Sequence, residues 1–457
     1  MTSSSQKKWT DVLAHWGEPL LQKIQHFSGN NTFHEPPPTF PRTIEGLQTL
    51  AKKMYELAAP TSETVSAEDI QLLDPADFDI GAEIAISGKV KLLPNANLWQ
   101  KNISFIISES HTSLDCQGAI MSSTDGKKTA IIIRSPTATQ DGANTGIHDI
   151  TIKNCLISGY NHGLVIEQQT PPNQRYELLK QGKTTLEQQR NLSPHDIRIE
   201  HLMVAHSRNS GIFIGDHVQH VQLYGVGVVA SGTVGLYFEF GSGHNKVSHS
   251  YFSQNGFRQK FGVGKPNREA IAIDSSVYNT ICHNQFDHNG AGGIFLYRNC
   301  FEHANDSTQS NHFLRTQGSD GNLIQHNVFI REPVGVWIAA RQSRNLKGFE
   351  CGAYTISETP FARYHLDESE KNKVLDNEFD AGKNGIIIED DNNLVENNRF
   401  TGDLEQPIVV GSTIRLQSSE GAVKGNQILY NQFIPRLDAK KLVLFVGESE
   451  PVNTVAS

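Results

Sequence analysis

The second half of the chain contains a degenerate repeat in which an Asn is followed two residues later by a Phe. After a short polar turn, the copies continue with a Gly and an alternating apolar run. The Asn and Phe positions are Asn284/Phe286, Asn327/Phe329, Asn377/Phe379, Asn398/Phe400 and Asn431/Phe433, with Ser250/Phe252 as a weaker copy. The Gly-led runs begin at Gly211, Gly235, Gly293, Gly335 and Gly385. Because recurrence at such intervals indicates a solenoid, each copy is interpreted as strand, turn and strand, stacked on its neighbours around one continuous core.

This pattern resembles that of the right-handed parallel β-helix proteins, over roughly residues 82 to 435. That broad group contains pectate lyases, alginate lyases, mannuronan C5-epimerases and polygalacturonases, and also non-catalytic relatives such as periplasmic copper-maturation proteins. The resemblance implies an all-β, right-handed parallel β-helix. In such a fold, Asn side chains hydrogen-bond from coil to coil and Phe stacks on Phe. It implies no single chemistry, because this architecture hosts many activities.

Two segments before the repeats carry apolar residues at spacings of three and four, which predicts two amphipathic helices. The first runs from Trp9 to Phe27 and the second from Ile44 to Leu57. An open solenoid end exposes unpaired backbone groups. Residues 1–80 are therefore predicted to form an N-terminal α-helical segment that caps the solenoid or packs along it. The β-helix is placed at residues 81–440, and residues 441–457 are placed in a C-terminal tail.

Composition and charge exclude several partners. The mean hydropathy is -0.40 and no apolar run approaches membrane-spanning length, so no membrane span is predicted. The net charge of -9 is spread along the chain, which argues against a nucleic-acid partner. No signal peptide is recognised. The location is therefore left open between the cytoplasm and export by another route or after trimming, and the oligomeric state is not specified.

Cysteine usage is sparse, with 5 Cys in 457 residues, and this is too few for a disulfide framework. Cys300 and Cys351 lie on long segments that leave neighbouring coils, so they could pair. The preferred interpretation is free thiols, buried or in loops.

Side chains alternate sides along a strand, so the residues after each anchoring Gly separate into inward and outward columns. The first and third residues are predicted to fill the core. The outward second position is rich in rings, and the outward positions that follow are polar. The rings are Phe213, Tyr237, Phe295 and Trp337, and the polar residues are Glu239, Asp274, Tyr297, Asn299 and Arg341, with Arg298 between Tyr297 and Asn299. Rings beside charged groups suit a sugar-polymer groove, so a polysaccharide or oligosaccharide is the predicted partner. The alternative is that loops cover the rings.

Insertion lengths point to the same face. Extra residues fall at about 169–195, 299–321 and 342–371, and all of them leave from the same end of the outward strands. They are predicted to wall an open stretch of coils, because insertions in solenoids commonly cluster on the binding face.

The polar residues allow more than one chemistry. Glu239 and Asp274 fall on adjacent coils and repel, so a shared proton, a Ca²⁺ ion or a basic neighbour must relieve them. They could serve as the acid and nucleophile of a retaining glycoside hydrolase, or as a calcium site that holds a substrate carboxylate. Tyr297 with Arg298 and Arg341 instead suits a uronate lyase or C5-epimerase, in which Arg neutralises the carboxylate and Tyr transfers a proton.

The preferred prediction is therefore a lyase or C5-epimerase that acts on an acidic, uronate-containing glycan. The predicted substrate-binding residues are Phe213, Tyr237, Phe295, Asn299 and Trp337. The alternatives are a glycoside hydrolase that uses Glu239 and Asp274, and a non-catalytic β-helix that binds a glycan or a protein. A calcium ion at Glu239 and Asp274 is the one cofactor considered.

Overall fold

The computed structural model describes residues 42–58, 70–94, 96–136, 145–258, 265–435 and 442–456. Over these residues the chain passes repeatedly through three parallel strand ladders, here called A, B and C in the order in which each coil visits them. The fold is thus the predicted all-β, right-handed parallel β-helix. The first predicted helix, from Trp9 to Phe27, lies outside the described residues.

Ladder A is a continuous 13-stranded parallel sheet. Its strands are Ile70–Leu73, Lys89–Leu92, Thr112–Asp115, Ile150–Lys153, His195–Glu200, Gln219–Tyr224, Lys246–Ser248, Thr280–Cys282, Leu323–Gln325, Lys373–Leu375, Leu394–Glu396, Gln427–Leu429 and Thr454–Ala456.

Ladders B and C run along the other two sides, and two long strands, Val328–Ile338 and Glu378–Ile388, belong to both. The other strands of ladder B are Asn97–Leu98, Ile120–Ser122, Leu156–Ser158, Met203–Ala205, Gly227–Val229, Tyr251–Ser253, Gln285–Asp287, Arg399–Gly402 and Gln432–Pro435. The other strands of ladder C are Glu83–Ile86, Ser104–Ile107, Thr129–Ser135, His162–Gln168, Ile212–Ile214, Leu236–Phe238, Glu269–Asp274, Gly292–Tyr297, Gln406–Val410 and Val443–Phe445. Two short antiparallel pairs stand outside the ladders, Phe257–Arg258 with Lys265–Pro266 and Thr355–Glu358 with Arg363–His365.

The repeat forms one aromatic column inside the solenoid, as predicted. Phe252, Phe286, Phe329, Phe379 and Phe400 occupy equivalent register positions of ladder B. Successive rings stack with centroids 4.7–5.3 Å apart and interplanar angles of at most 11°. Gly293, Gly335 and Gly385 make room for this column, because a Cβ on each would lie 2.4–2.7 Å from the Phe ring of the next coil. Gly at these positions is therefore a packing requirement.

Buried Asn side chains connect the coils. Asn284, Asn327, Asn377, Asn398 and Asn431 form a chain in which each Nδ2 donates to the next Oδ1 at 3.0 Å. A second chain of this kind, not singled out in the sequence, precedes the strands of ladder A and includes Asn245, Asn279, Asn322 and Asn372. These bonds satisfy polar groups that are buried inside the turns.

The second predicted helix is present as α1, Ile44–Leu57, and Thr43 caps its start by accepting a hydrogen bond from the Gly46 N–H at 3.1 Å. Its buried face, which includes Leu47 and Met54, packs against apolar residues on the outside of ladder B. Helix α1 therefore covers the side of the solenoid, which was one of the two placements considered.

The strand ladders extend beyond the predicted limits of 81–440. Ile70–Leu73 already pairs with Lys89–Leu92 in ladder A. At the other end Val443–Phe445 adds to ladder C and Thr454–Ala456 adds to ladder A. Residues 442–456 are thus a further coil, and the predicted tail is corrected. These strands lack the Asn and Phe motif, so the repeat did not reveal them.

Two disulfides are present, Cys116–Cys155 and Cys300–Cys351, with Cα atoms 5.0 and 5.4 Å apart. The preferred prediction of free thiols is wrong for these four residues and holds for the buried Cys282. The register of ladder A explains the first pair. Asp115 lies beside Lys153 on the neighbouring coil, so the residues that follow them, Cys116 and Cys155, lie close together.

The three insertions leave ladder C at the predicted end. The first contains helices α2, Pro172–Lys180, and α3, Leu186–Asn191. The second spans the residues between Tyr297 and Leu323, and the third those between Ile338 and Lys373. Among the residues that the structure describes, no helix is long and apolar enough to cross a membrane.

Candidate functional site

The outward face of ladder C carries the predicted column of rings, and only part of that column is exposed. Phe213 and Tyr237 lie on adjacent coils, are partly exposed, and stack with centroids 5.6 Å apart at 22°. On later coils Phe295 is buried, and Trp337 packs edge-on against it at 5.4 Å. The prediction of Phe295 as an accessible substrate-binding ring is therefore corrected.

A cavity of about 330 Å³ opens beside Phe213, over coils that precede the predicted groove. Its lining combines apolar, amide and charged groups: Thr129, Ile132, Arg134, His162, Val165, Glu167, Asn209 and Phe213. Arg134 and Glu167 form an ion pair at 2.5 Å. His162 Nδ1 lies 2.7 Å from the Ser210 hydroxyl, and burial lowers the pKa of His162 to about 4. The imidazole is therefore neutral at neutral pH.

Glu239 and Asp274 lie together as predicted, and the basic neighbour that relieves their repulsion is Arg315. Its Nη2 lies 3.1 Å from Glu239 Oε1, and its Nε lies 3.3 Å from Asp274 Oδ2. Burial raises the pKa of Glu239 to about 8 even though Arg315 opposes that shift, and the Asp274 charge adds to it. The Arg315 guanidinium occupies the position between the two carboxyl groups that was predicted for a calcium ion, so these residues do not fit the predicted metal site.

Asp274 is fully enclosed, with a relative exposure of 0%. The Tyr237 hydroxyl donates to its Oδ2 at 2.6 Å, and the backbone N–H of Asn299 donates to its Oδ1 at 3.0 Å. The Asn299 side chain donates to the same carboxylate. Asn299 therefore holds Asp274 in place and does not reach the open face, which corrects its predicted role in substrate binding.

Tyr297 lies in a cluster of arginines. Its hydroxyl is 3.0 Å from Arg268 Nη2 and 3.3 Å from Glu269 Oε1, and the Arg341 guanidinium carbon is 4.8 Å from its ring centroid. Arg268 also forms an ion pair with Glu269 at 3.0 Å. Burial raises the pKa of Tyr297 above its ordinary value. With a relative exposure of 1%, the phenol is a proton donor held inside the face.

Arg298 points away from this cluster. Its side chain pairs with Glu368 at 2.5 Å and lies 3.6 Å from the centroid of the Tyr354 ring. Because side chains alternate along a strand, the residue after Tyr297 faces the third insertion. The predicted catalytic role of Arg298 is therefore wrong, and Arg298 fastens that insertion to the end of ladder C.

The insertions close over the ends of the strands instead of walling an open groove. Phe313, from the second insertion, packs on Phe240 with centroids 5.9 Å apart, and Arg315 lies 4.2 Å from the Phe313 ring. Arg175 of α2 pairs with the buried Asp216. The first two insertions also line a separate, open cavity of about 610 Å³ between α2 and residues 304–312.

Several residues of the face escaped the sequence analysis. Arg315 lies in an insertion without periodicity, so no pattern points to it. Arg268 and Arg344 likewise lie outside the Gly-anchored columns. Arg134 was predictable, because it lies in register with Glu167 on the next coil, but the outward columns of the sequence analysis did not include its coil.

One family model and several solved structures match this chain. The family described as periplasmic copper-binding protein (NosD) matches residues 303–434, well under half of the chain. No curated protein sequence matches closely enough to count as a relative.

Among solved structures, ORF18 of Geobacillus virus E2 matches at 12% identity and a TM-score of 0.37, over 79% of this chain and 56% of its own. An alginate lyase from Paenibacillus sp. str. FPU-7 matches at 12% identity and a TM-score of 0.33, over 82% of this chain and 97% of its own. A DFA-IIIase from Arthrobacter chlorophenolicus A6 matches at 10% identity and a TM-score of 0.43, over 90% of both chains. The chain thus spans little more than half the length of ORF18.

Proposed function

We propose that the protein binds an acidic glycan along the outward face of ladder C. The observation that carries the proposal is the contact between a partly exposed ring pair and a guanidinium. Phe213 stacks on Tyr237, and the Arg268 guanidinium carbon lies 5.9 Å from the Tyr237 ring centroid. Flat rings accept the apolar faces of sugars. A guanidinium is the side chain that best pairs with a carboxylate.

The charge balance around Tyr297 favours an acidic ligand. The guanidinium groups of Arg268, Arg341 and Arg344 face the carboxylates of Glu269 and Glu302, the latter 3.8 Å from Arg341. Among the described residues, the Arg344 side chain has no carboxylate within ion-pair distance. Burial and the nearby charge of Arg341 lower the pKa of Arg344 to about 10. A bound anion would relieve both effects.

The finer assignment as a uronate lyase or C5-epimerase stays a prediction. Its support is the position of the Tyr297 hydroxyl beside Arg268, next to surplus positive charge. The raised pKa keeps the Tyr297 hydroxyl protonated, so it could donate a proton but not accept one, and it makes Tyr297 a weaker acid than a free tyrosine. The alternative hydrolase needs Glu239 and Asp274 at the substrate. Their contacts with Arg315 oppose that role.

The binding proposal is tested on the full chain by calorimetric titration with matched acidic and neutral oligosaccharides. We expect the acidic series to bind more tightly. Arg344→Gln should weaken that binding by about tenfold, since charge-assisted hydrogen bonds are worth about 1.5–3 kcal/mol. Phe213→Ala should weaken both series by about threefold to tenfold.

Matched controls are Arg331→Gln and Tyr278→Ala. The Arg331 side chain is 51% exposed and pairs with Asp287, and Tyr278 is 58% exposed beside ladder A. Neither should change affinity. Equal affinity for neutral and acidic sugars, or equal losses in the control variants, would contradict the proposal.

Catalysis is tested separately from binding. Formation of unsaturated uronates, release of reducing ends and exchange of the C5 proton with deuterated water distinguish lyase, hydrolase and epimerase. Binding without any of the three products would leave a non-catalytic glycan-binding β-helix.

A further inference from the structure

Three side chains of types that ligate metals meet at the base of the second and third insertions, and none of them belongs to the glycan proposal. Cys300 follows the strand Gly292–Tyr297, Cys351 lies in the third insertion, and His365 ends the strand Arg363–His365. One ligand atom from each lies within 4.8 Å of the others, and all three residues are buried. In this structure the two sulfur atoms form a disulfide.

The hydrogen bonding of His365 leaves one ring nitrogen available to a metal. Its Nδ1 lies 2.6 Å from the carbonyl oxygen of Ala353. A carbonyl oxygen only accepts, so Nδ1 carries the proton and Nε2 carries the lone pair. That Nε2 is buried and has no hydrogen-bond partner in the described part of the chain. Ligating imidazoles usually donate their other N–H to a carbonyl or carboxylate in this way.

Neighbouring residues hold the cluster in place. Arg363 Nη1 donates to the carbonyl oxygen of Cys351 at 3.0 Å, and its Nη2 donates to Glu358 Oε1 at 2.6 Å. Leu346 packs against both cysteines and makes the cluster apolar on that side.

We propose that Cys300, Cys351 and His365 form a redox-controlled site for a thiophilic d¹⁰ cation, Cu⁺ or Zn²⁺. Two thiolates and one imidazole are the donor types that select these ions. A dithiol reductant opens the site: it gives two electrons and two protons to the disulfide and becomes a disulfide itself. The cation then binds both sulfurs and Nε2 and releases the two thiol protons.

The site would keep the insertions joined in both redox states. The disulfide connects them when oxidised, and the metal bridges Cys300 to Cys351 and His365 when reduced. Oxidation and metal binding exclude each other, because the same two sulfur atoms serve both.

The test uses the full chain, reduced anaerobically with a phosphine that contributes no thiol. Cu⁺ or Zn²⁺ is titrated in competition with a chromogenic chelator. We expect one tightly held ion per reduced chain and none at this site in the oxidised chain. Cys300→Ser, Cys351→Ser and His365→Gln should each lower the affinity at least tenfold. The control, Cys116→Ser with Cys155→Ser, removes the other disulfide and should retain the ion.

A second measurement does not depend on substitutions. The bound ion should protect Cys300 and Cys351, but not Cys116 and Cys155, from alkylation mapped by mass spectrometry. X-ray absorption of the Zn²⁺ form should show two sulfur ligands at about 2.3 Å and a nitrogen at about 2.0 Å. Absence of tight binding to the reduced chain, or binding that survives all three substitutions, would overturn the proposal. Glycan affinity is measured separately, so either proposal can fail alone.

Discussion

The Nη2 of Arg315 lies 3.1 Å from Oε1 of Glu239, although 76 residues separate them in the chain. Arg315 also approaches Asp274, so one guanidinium serves two buried carboxyl groups on adjacent coils. This contact fastens the second insertion to the ends of the ladder C strands. It also removes both carboxyl groups from the surface on which a ligand could lie.

Replacing Arg315 should be strongly destabilising. Arg315→Met would leave Glu239 and Asp274 buried without their cationic partner, and breaking one side of a buried pair costs about 3–5 kcal/mol. The measurement is the free energy of unfolding in urea, followed by circular dichroism. Arg331→Met is the matched control, because its partly exposed pair should be worth at most about 1 kcal/mol. Equal losses in the two variants would show that Arg315 does not hold the carboxyl groups.

The solenoid was predictable because its packing repeats in the sequence. Where Phe stacks on Phe, the Phe falls two residues after an Asn, or after Ser250 on the first of these coils, and on three coils a Gly faces the ring. The repeat did not predict the last strands of the solenoid. Val443–Phe445 and Thr454–Ala456 pair by backbone hydrogen bonds, which need no particular side chain.

The candidate site was predictable only in its column positions. Alternation along the strands correctly assigned Phe213 and Tyr237 to the outward face. It could not predict that Phe313 and Arg315 fold back over Glu239, because the residues of an insertion do not follow the alternation of a strand.

The Asn chain should carry a large share of the local stability. Asn327 Nδ2 donates to Ile281 O and to Asn377 Oδ1, and its Oδ1 accepts from the backbone and side chain of Asn284. Asn327→Ala leaves these groups unsatisfied and should cost about 2–4 kcal/mol of unfolding free energy. The exposed Asn305→Ala should stay within about 0.5 kcal/mol. Chemical denaturation of both variants checks this, and a small effect at Asn327 would contradict it.

Glu389 should make stability depend on pH. Burial raises its pKa to about 7, although the hydrogen bonds from Ser343 and Trp337 lower it. Below about pH 4 the carboxyl is protonated in both folded and unfolded chains and contributes nothing. As the pH rises from about 4 to 7, the unfolded chain loses its proton first, so this contribution to stability falls and then levels off above pH 7.

Glu389→Gln keeps an acceptor for the Trp337 N–H and removes the ionisation. Its stability relative to the unsubstituted protein should therefore increase between pH 5 and pH 8, by about 1–3 kcal/mol. Urea unfolding at a series of pH values measures this difference. The exposed Glu405→Gln should show no such trend, and a flat difference for Glu389→Gln would mean that the carboxyl is not held protonated.

Tyr297 decides between the catalytic assignments. If the protein is a uronate lyase or C5-epimerase, Tyr297→Phe removes the proton-transfer hydroxyl and should lower turnover by about 10²- to 10⁴-fold. This corresponds to a barrier increase of about 3–5 kcal/mol. Binding of the acidic oligosaccharide should stay within about threefold, because the ring and its contact with Arg341 remain.

Arg341→Ala should instead weaken both binding and turnover, since its charge acts on the ground state and the transition state alike. Single-turnover kinetics and calorimetric titration separate the two effects. A glycoside hydrolase gives the opposite ranking: Glu239→Gln and Asp274→Asn would each abolish turnover, and Tyr297→Phe would be mild. If none of the four substitutions alters turnover of a glycan that the protein processes, the chemistry takes place elsewhere, and this face serves binding alone.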